Sequence, residues 1–314
     1  MSNSMFENWI FDHAQYAAGF DSLITNIDRV LNGSTPFVFP LLGDSRTGKT
    51  ALLKDVCTHF ADNKSSSGHN RVIFVSMPAT ASNEALADRI IKTIVGNISV
   101  KGKPHQIIDQ ARLTMETAGV QVLLVDEVNH LVEKRTSERA QSKENRRAAD
   151  WFKELGDMSN ISVVVAGLTH VSRMYTDNDQ LENRGLVGGH IHPYAWSAAD
   201  DRKQYQNTIQ AGMVMFEEHG WKIEVSLDLI TRVSYFGGGG YIGKARDFLV
   251  RIEEVGGPSK RVDHQLLSRA YQDKYRLDNR GDPLLIPSID DVLLNGAHRK
   301  AIGRAVHSGR GSQP

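Results

Sequence analysis

Two kinds of hydrophobic pattern alternate over the first 195 residues. Short runs rich in β-branched residues predict strands at 37–42, 72–76, 122–126, 161–166 and 190–194, and the second to fourth of these runs are typical of strands buried on both faces. Apolar residues three or four positions apart predict helices at 49–60, 82–95, 104–117 and 146–155. Because alternating strands and helices favour right-handed crossovers, we predict an α/β domain, residues 1–195, built on a parallel five-stranded sheet.

The pattern changes after Trp196, where no further run has the length and composition of a strand. Ser197 and Asp200 have the spacing of a capping box and predict a helix that runs to about residue 220. Further helices are predicted at 226–236, 242–255 and 263–275, with four consecutive glycines, residues 237–240, ending the first of them. We therefore predict a small helical domain, residues 196–275, followed by an extended, partly disordered tail, residues 276–314.

Composition excludes several classes of protein. The chain has 40% hydrophobic residues, enough to fill a core, and 37 basic against 37 acidic residues, so any attraction to nucleic acid must come from local patches. Cys57 is the only cysteine, which excludes an internal disulfide or a cysteine zinc site and indicates a reducing compartment. No apolar run approaches the ~20 residues of a membrane span, and no secretion signal opens the chain. We expect a cytoplasmic protein.

A phosphate-binding loop follows the first predicted strand, where eight residues match the pattern G-x-x-x-x-G-K-[ST]. Glycines allow backbone N–H groups to face phosphate oxygens, and the next helix directs its positive end at the same anion. Lys49 is predicted to reach the β- and γ-phosphates, and the Thr50 hydroxyl to bind Mg²⁺. The residues predicted to bind ATP here are Gly43, Asp44, Ser45, Arg46, Thr47, Gly48, Lys49, Thr50 and Ala51.

A pair of acids follows the third predicted strand, about 75 residues after the loop. Carboxylates at the end of a buried strand reach the edge of a parallel sheet where nucleotides bind. Asp126 is predicted to hold Mg²⁺ through water, and Glu127 to act as the general base that polarises the attacking water.

Two further catalytic groups have weaker signals. Ring-forming ATPases take an arginine from the neighbouring subunit, and Arg184, between the fourth and fifth predicted strands, has the expected location; the alternative is a surface arginine. A polar sensor after the fourth strand is predicted at Thr169, with His170 as the alternative.

Together these motifs resemble AAA+ ATPases and, more narrowly, the TniB/TnsC group of transposition regulators. The resemblance spans about residues 20–275 and rests on segments 42–50, 124–131, 163–168 and 240–244. It implies an AAA+ P-loop NTPase fold with a helical lid, and ATP-dependent hexameric or heptameric rings or helical filaments on duplex DNA. It also implies two protein partners, a TniQ-type target selector and a DDE transposase of the TnsB/TniA type.

The lid motif departs from the AAA+ pattern. Many AAA+ lids have arginine at the fourth position of Gly-x-x-Arg, whereas Gly240-Tyr241-Ile242 is followed here by Gly243, with Lys244 and Arg246 nearby. Lys244 is therefore the candidate for contact with the nucleotide.

Local charge suggests where DNA would bind. Residues 89–108 contain four basic residues and no acid, and Lys101-Gly102-Lys103 matches a family loop that follows the DNA backbone. Lysine and glycine suit contacts with phosphates that do not depend on sequence. Lys101, Lys103 and Thr117 are the predicted DNA contacts, and an ordinary solvated loop is the alternative.

Other charged segments leave their roles open. Residues 134–147 hold six basic residues and two acids, which is typical of a solvated loop but also suits DNA or a neighbouring subunit. The last twenty residues have four basic side chains and no acid, and could bind transposase, DNA or neither. No spacing of His and Cys predicts a transition-metal site.

Three functions are compatible with these features. The first is a Mg·ATP-dependent AAA+ regulator that oligomerises on duplex DNA and links a target selector to transposase. The second is another AAA+ activity, such as helicase loading or protein remodelling. The third is an interaction module that binds nucleotide without hydrolysing it.

Overall fold

A computed structural model describes residues 4–6, 13–78, 82–98, 100–131, 149–157, 159–176 and 189–274. The chain divides into two compact units, one formed by Ala17–Ile191 and the other by Met1–Tyr16 together with His192–Pro314. None of the helices in the described ranges is long and apolar enough to span a membrane.

The first unit is built on a parallel sheet of five strands, which confirms the predicted α/β architecture. Its strands are β1 (Val38–Gly43), β2 (Val72–Ser76), β3 (Val122–Asp126), β4 (Ser162–Gly167) and β5 (Gly189–Ile191). Their spatial order is β2-β3-β4-β1-β5, and every pairing is parallel. All residues of β3 and β4 are buried, as expected for strands covered on both faces.

The fifth strand is shorter than predicted and ends at Ile191 instead of residue 194. The backbone leaves the sheet because other groups satisfy its next N–H donors. The N–H of His192 donates to Gln15 Oε1 at 2.8 Å, and the N–H of Tyr194 donates to the carbonyl of Gly240 at 2.9 Å. Both acceptors are distant in sequence, so the local pattern could not reveal them.

Helices connect and cover the strands. They are α1 (Ala14–Leu31), α2 (Lys49–His59), α3 (Asn83–Val95), α4 (Pro104–Ala118), α5, which includes residues 149–157, and the short α6 (Arg173–Thr176). The sequence pattern predicted α2 to α5 but did not identify α1, whose Leu23, Ile27 and Val30 are buried at helical spacing. Ser82 caps α3 by accepting from the N–H of Ala85 at 3.1 Å.

The second unit contains α7 (Ala199–Glu218), α8 (Leu227–Arg232), α9 (Ile242–Gly256) and α10 (His264–Lys274). A π-helical turn, Val233–Gly238, continues α8 into the run of glycines. The pattern did not predict the strands of this unit, β6 (Lys222–Ile223) and β7 (Arg261–Val262), which form a two-residue parallel pair.

The capping box predicted at Ser197 and Asp200 is wrong. The N-cap of α7 is Ala198, which has no side-chain cap. A different carboxylate serves the preceding turn, because Asp201 accepts from the N–H of Ala195 at 2.9 Å.

Residues near the N-terminus pack in the helical unit, although the sequence placed them in the α/β domain. Phe6 is fully buried, and the centroid of its ring lies 5.2 Å from that of Phe216. Arg246 Nε donates to the carbonyl oxygen of Phe6 at 2.9 Å. Ser4 Oγ donates to Glu253 Oε2 at 2.6 Å. The division between units therefore falls after Tyr16 and again after Ile191. The predicted tail lies outside the described residues.

Candidate nucleotide-binding site

The predicted phosphate loop joins the end of β1 to the start of α2, at the carboxyl edge of the sheet. Gly43 lies so close to β5 that a Cβ atom there would be 2.2 Å from the carbonyl oxygen of Ile191. Gly48 caps α2 with φ of 103°, and Arg46 also has a positive φ of 69°. The backbone thus turns sharply into a helix N-terminus, as an anion-binding loop requires.

Lys49 is buried and folds back over the loop. Its Nζ donates to the carbonyl oxygens of Gly43 at 2.9 Å and Asp44 at 2.7 Å. Burial lowers its pKa to about 8, although the nearby negative charges of Asp126 and Asp44 act in the opposite direction. The ammonium therefore lies inside the loop, where burial disfavours its charge.

Thr50 and Asp126 meet across the site. The Thr50 hydroxyl donates to Asp126 Oδ2 at 2.5 Å, although 76 residues separate the two positions. Asp126 is buried, and its Oδ1 accepts from the N–H of Glu127 at 2.8 Å. Two oxygen ligands of the kind that Mg²⁺ prefers are thereby placed beside the phosphate loop.

Glu127 directly follows β3 and has an unusual backbone conformation. Its backbone is left-handed, with φ of 58° and ψ of 32°, a region that non-glycine residues rarely occupy and that concentrates at functional sites. Its side chain is 54% exposed, so the carboxylate is open to water. Ser76 Oγ donates to Glu127 Oε2 at 3.4 Å, and His130 Nε2 lies 3.8 Å from the same oxygen.

Ser76 and His130 are site residues that sequence reasoning missed. Ser76 is the last residue of β2, and the strand order places β2 next to β3, which ends in Asp126. His130 lies in the 3₁₀ turn Val128–His130, one turn after Glu127. The position of Ser76 at the end of a predicted strand was a usable signal, but only the strand order shows which strand it adjoins.

The residues present fit Mg²⁺ and a nucleoside triphosphate. The described residues contain no group of three or more His, Cys, Asp or Glu that could enclose a metal. Mg²⁺ needs no such cage, because it is usually held by one or two carboxylates, water and substrate phosphates. Thr50 and Asp126 would supply the protein oxygens, and Lys49 with the loop N–H groups would face the phosphates.

Two other predicted residues, Thr169 and Lys244, lie in the described part of the chain. Thr169 begins the 3₁₀ turn Thr169–Ser172 after β4, the strand between β1 and β3. Lys244 belongs to the helical unit, where its Nζ lies 3.8 Å from the centre of the Tyr241 ring. Arg184 lies outside the described residues, as does segment 134–147.

The predicted DNA contacts lie on the hairpin of α3 and α4. Lys101 and Lys103 are exposed in the connection between the two helices, and the N–H of Lys103 donates to Gln106 Oε1 at 2.9 Å. Thr117 is also exposed but lies near the other end of α4. At ~1.5 Å per residue, roughly 20 Å separate it from Lys103, so these residues do not form one compact contact.

A family model matches the N-terminal part of the chain. The family model described as bacterial TniB protein matches residues 7–186, more than half of the chain. None of the curated proteins matches the chain in sequence.

Several solved structures share the fold. The ORC1 protein of Aeropyrum pernix in complex with DNA has a TM-score of 0.61 at 16% identity, and the alignment covers 86% of this chain and 67% of the ORC1 chain. The ORC2 protein of Aeropyrum pernix, in ADPNP–ADP complexes, has a TM-score of 0.60 at 14% identity, with coverage of 97% and 85%. Cdc6p from Pyrobaculum aerophilum has a TM-score of 0.60 at 14% identity, with coverage of 92% and 74%. The chain therefore has the AAA+ fold of the ORC and Cdc6 proteins.

Proposed function

This chain belongs to the bacterial TniB family, and from that membership and the geometry of its phosphate loop we propose that it is an ATP-dependent regulator of DNA transposition. It would hydrolyse ATP to ADP and phosphate while assembled on duplex DNA. Hydrolysis would change the stability of the assembly on the DNA. It would not transfer phosphate to another substrate.

We propose a separate role at the nucleotide for each of these residues. Lys49 would bind the β- and γ-phosphates, and Thr50 and, through water, Asp126 would hold Mg²⁺, which when bound neutralises part of the phosphate charge. Glu127 orients the attacking water and takes its proton. Arg184 of a neighbouring subunit, Thr169 and Lys244 are proposed to sense or stabilise the charge on the γ-phosphate.

One observation carries the proposal for nucleotide chemistry. Thr50 Oγ1 and Asp126 Oδ2 lie 2.5 Å apart beside a buried lysine whose ammonium faces the carbonyls of its own loop. Neither a plain glycine turn nor a plain buried strand would require a hydroxyl, a carboxylate and a lysine to converge.

Glu127→Gln tests the hydrolytic role. The amide cannot accept the proton, so we expect ATP hydrolysis to fall by at least ~100-fold while ATP binding stays within a few fold, and ATP-bound assemblies to persist on DNA. Glu217→Gln, an exposed glutamate of α7, is the matched control. Steady-state hydrolysis with and without duplex DNA measures the effect, and unchanged hydrolysis in Glu127→Gln would remove the role given to this residue.

The family membership and the hairpin lysines support the DNA-bound assembly. A related fold, the ORC1 protein of Aeropyrum pernix, was solved in complex with DNA. We propose that this chain forms rings or filaments around duplex DNA, with Lys101, Lys103 and Thr117 facing the phosphates. Negative-stain microscopy with DNA, Mg²⁺ and a slowly hydrolysed ATP analogue tests this, and monomers under those conditions would contradict it.

The proposed partners are a DDE transposase and a TniQ-type target selector. Preformed assemblies on DNA should retain a purified DDE transposase of the TnsB/TniA type, and should not retain a replicative helicase. Retention of helicase with no retention of transposase would favour a loader instead.

A further inference from the structure

The helical unit has a cleft beside its two-residue strands, away from the phosphate loop in sequence. The cleft has a volume of about 720 Å³, within the range of pockets that hold ligands. Its lining combines three basic side chains with an apolar floor: Lys222, Arg261 and His264, and Ile223, Leu229 and Val262.

Two of the basic side chains are neighbours across the strand pair. Lys222 and Arg261 are register partners in the β6–β7 pair, and both are exposed. Like charges on paired strand residues repel each other. The nearby Asp263 offsets part of this repulsion, because its Oδ2 lies 3.4 Å from Arg261 Nε. Its Oδ1 accepts from the N–H of Leu266, at the start of α10, at 3.0 Å. An incoming carboxylate would relieve this repulsion.

The remaining lining indicates a peptide instead of DNA. Leu229 and Val262 are 5% and 6% exposed and form a floor that suits aliphatic side chains. Glu224 and Asp263 also line the cleft, so positive and negative side chains alternate along it. A short segment can place two acids against the basic side chains and keep them away from these acids, whereas an unbroken row of phosphates cannot. A short segment with acidic and aliphatic side chains satisfies both parts of the lining.

The chain contains such a segment after its last described helix. Residues 289–294 read Ile-Asp-Asp-Val-Leu-Leu, two acids flanked by aliphatic residues. The helix α10 begins at the cleft with His264 and ends at Lys274, roughly 15 Å away at the rise of an α-helix. The fourteen residues 275–288 span up to ~45 Å when extended, so the segment can return to the cleft.

We propose that residues 289–294 dock in the cleft of their own helical unit, with Asp290 and Asp291 facing Lys222, Arg261 and His264. Docking fixes the starting point of the last twenty residues, which carry four basic side chains and no acid. A partner with a similar acidic and aliphatic segment would compete for the cleft and release those basic residues.

Disulfide trapping in the full chain tests the docking without nucleotide or DNA, so its outcome does not depend on the proposed function. Cys57 is the only cysteine, and Cys57→Ser gives a background without thiols. In that background, Glu224→Cys with Ser288→Cys should form an intramolecular disulfide under mild oxidation in most molecules. The control pair is Lys203→Cys with Ser288→Cys, because Lys203 is exposed on α7 of the same unit and does not line the cleft. It should cross-link at least fivefold less.

Charge exchange provides the second arm. Lys222→Glu with Arg261→Glu should reduce the disulfide at least fivefold, and adding Asp290→Lys with Asp291→Lys should restore it. Cross-linking equal to the Lys203→Cys control, or unaffected by charge reversal, would overturn the proposal. So would disulfides formed only between copies, or loss of DNA affinity in the reversed variant with the intramolecular disulfide unchanged.

Discussion

At the scale of single residues, the buried Lys49 links the phosphate loop to the pH dependence of the protein. Its Nζ is bonded to two loop carbonyls, and burial lowers its pKa to about 8. Because the pKa is lower in the folded chain than in the unfolded one, the unfolded chain binds more protons above pH ~8. The free energy of unfolding of the nucleotide-free protein should therefore rise with pH between about 8 and the ordinary lysine pKa.

Nucleotide binding should consequently be coupled to proton uptake. Phosphates favour the charged lysine, so at pH 8 we expect about half a proton to be taken up per ATP bound, and about a tenth at pH 7. Calorimetric titrations in buffers of different ionisation enthalpy measure this number. Lys49→Arg is the control, because its guanidinium stays charged over this range. Equal uptake in that variant would assign the proton to another group.

At the scale of elements, the phosphate loop depends on how closely β1 approaches β5. β5 has three residues and pairs with β1 through Leu41, Leu42 and Gly43. Because Gly43 has no Cβ atom, this edge strand can lie against the loop.

Gly43→Ala should displace both the phosphate loop and β5. The added Cβ would lie 2.2 Å from the Ile191 carbonyl oxygen, so we expect a loss of about 1–3 kcal/mol in the free energy of unfolding, together with weaker ATP binding. Urea denaturation and ATP titration measure the two effects. Gly156→Ala is the control, since the same methyl group in α5 meets no atom nearer than 3.8 Å. Equal stability of the two variants would show that the strand adjusts freely.

Elements were predictable where the information was local. The buried runs of β2 and β3 and the loop around Lys49 follow from a few consecutive residues, and the structure has these strands with the predicted bounds. The end of β5 was not predictable, because it depends on hydrogen bonds to Gln15 and Gly240. The contacts of Glu127 with Ser76 and His130 likewise required the order of strands and a left-handed backbone that no motif specifies.

At the scale of the whole molecule, charge is balanced overall and segregated locally. The chain has 37 basic and 37 acidic residues, yet Lys101 and Lys103 lie exposed in a segment without acids. In an oligomer such a segment is repeated once per subunit, so DNA affinity should grow with assembly.

Salt dependence of DNA binding should report these lysines. Each phosphate contact on duplex DNA contributes ~0.9 to the slope of log affinity against log salt, so Lys101→Ala with Lys103→Ala should lower the slope by about 2 per bound subunit. Lys64→Ala with Lys203→Ala, two exposed lysines elsewhere, is the control. Fluorescence anisotropy over a salt series measures the slope, and equal slopes for both variants would place the DNA on another surface.

The order of strands also affects how the chain is made. β1 is early in sequence but lies between β4 and β5, and the N–H of Phe37 donates to the hydroxyl of Ser162, 125 residues later. During synthesis β1 therefore has no neighbour in the sheet until β4 has left the ribosome. Such long-range pairing slows folding and leaves apolar strand edges exposed meanwhile. The phosphate loop is thus encoded first among the chemical groups of the site, yet it gains its structural support only when most of the α/β unit has been synthesised.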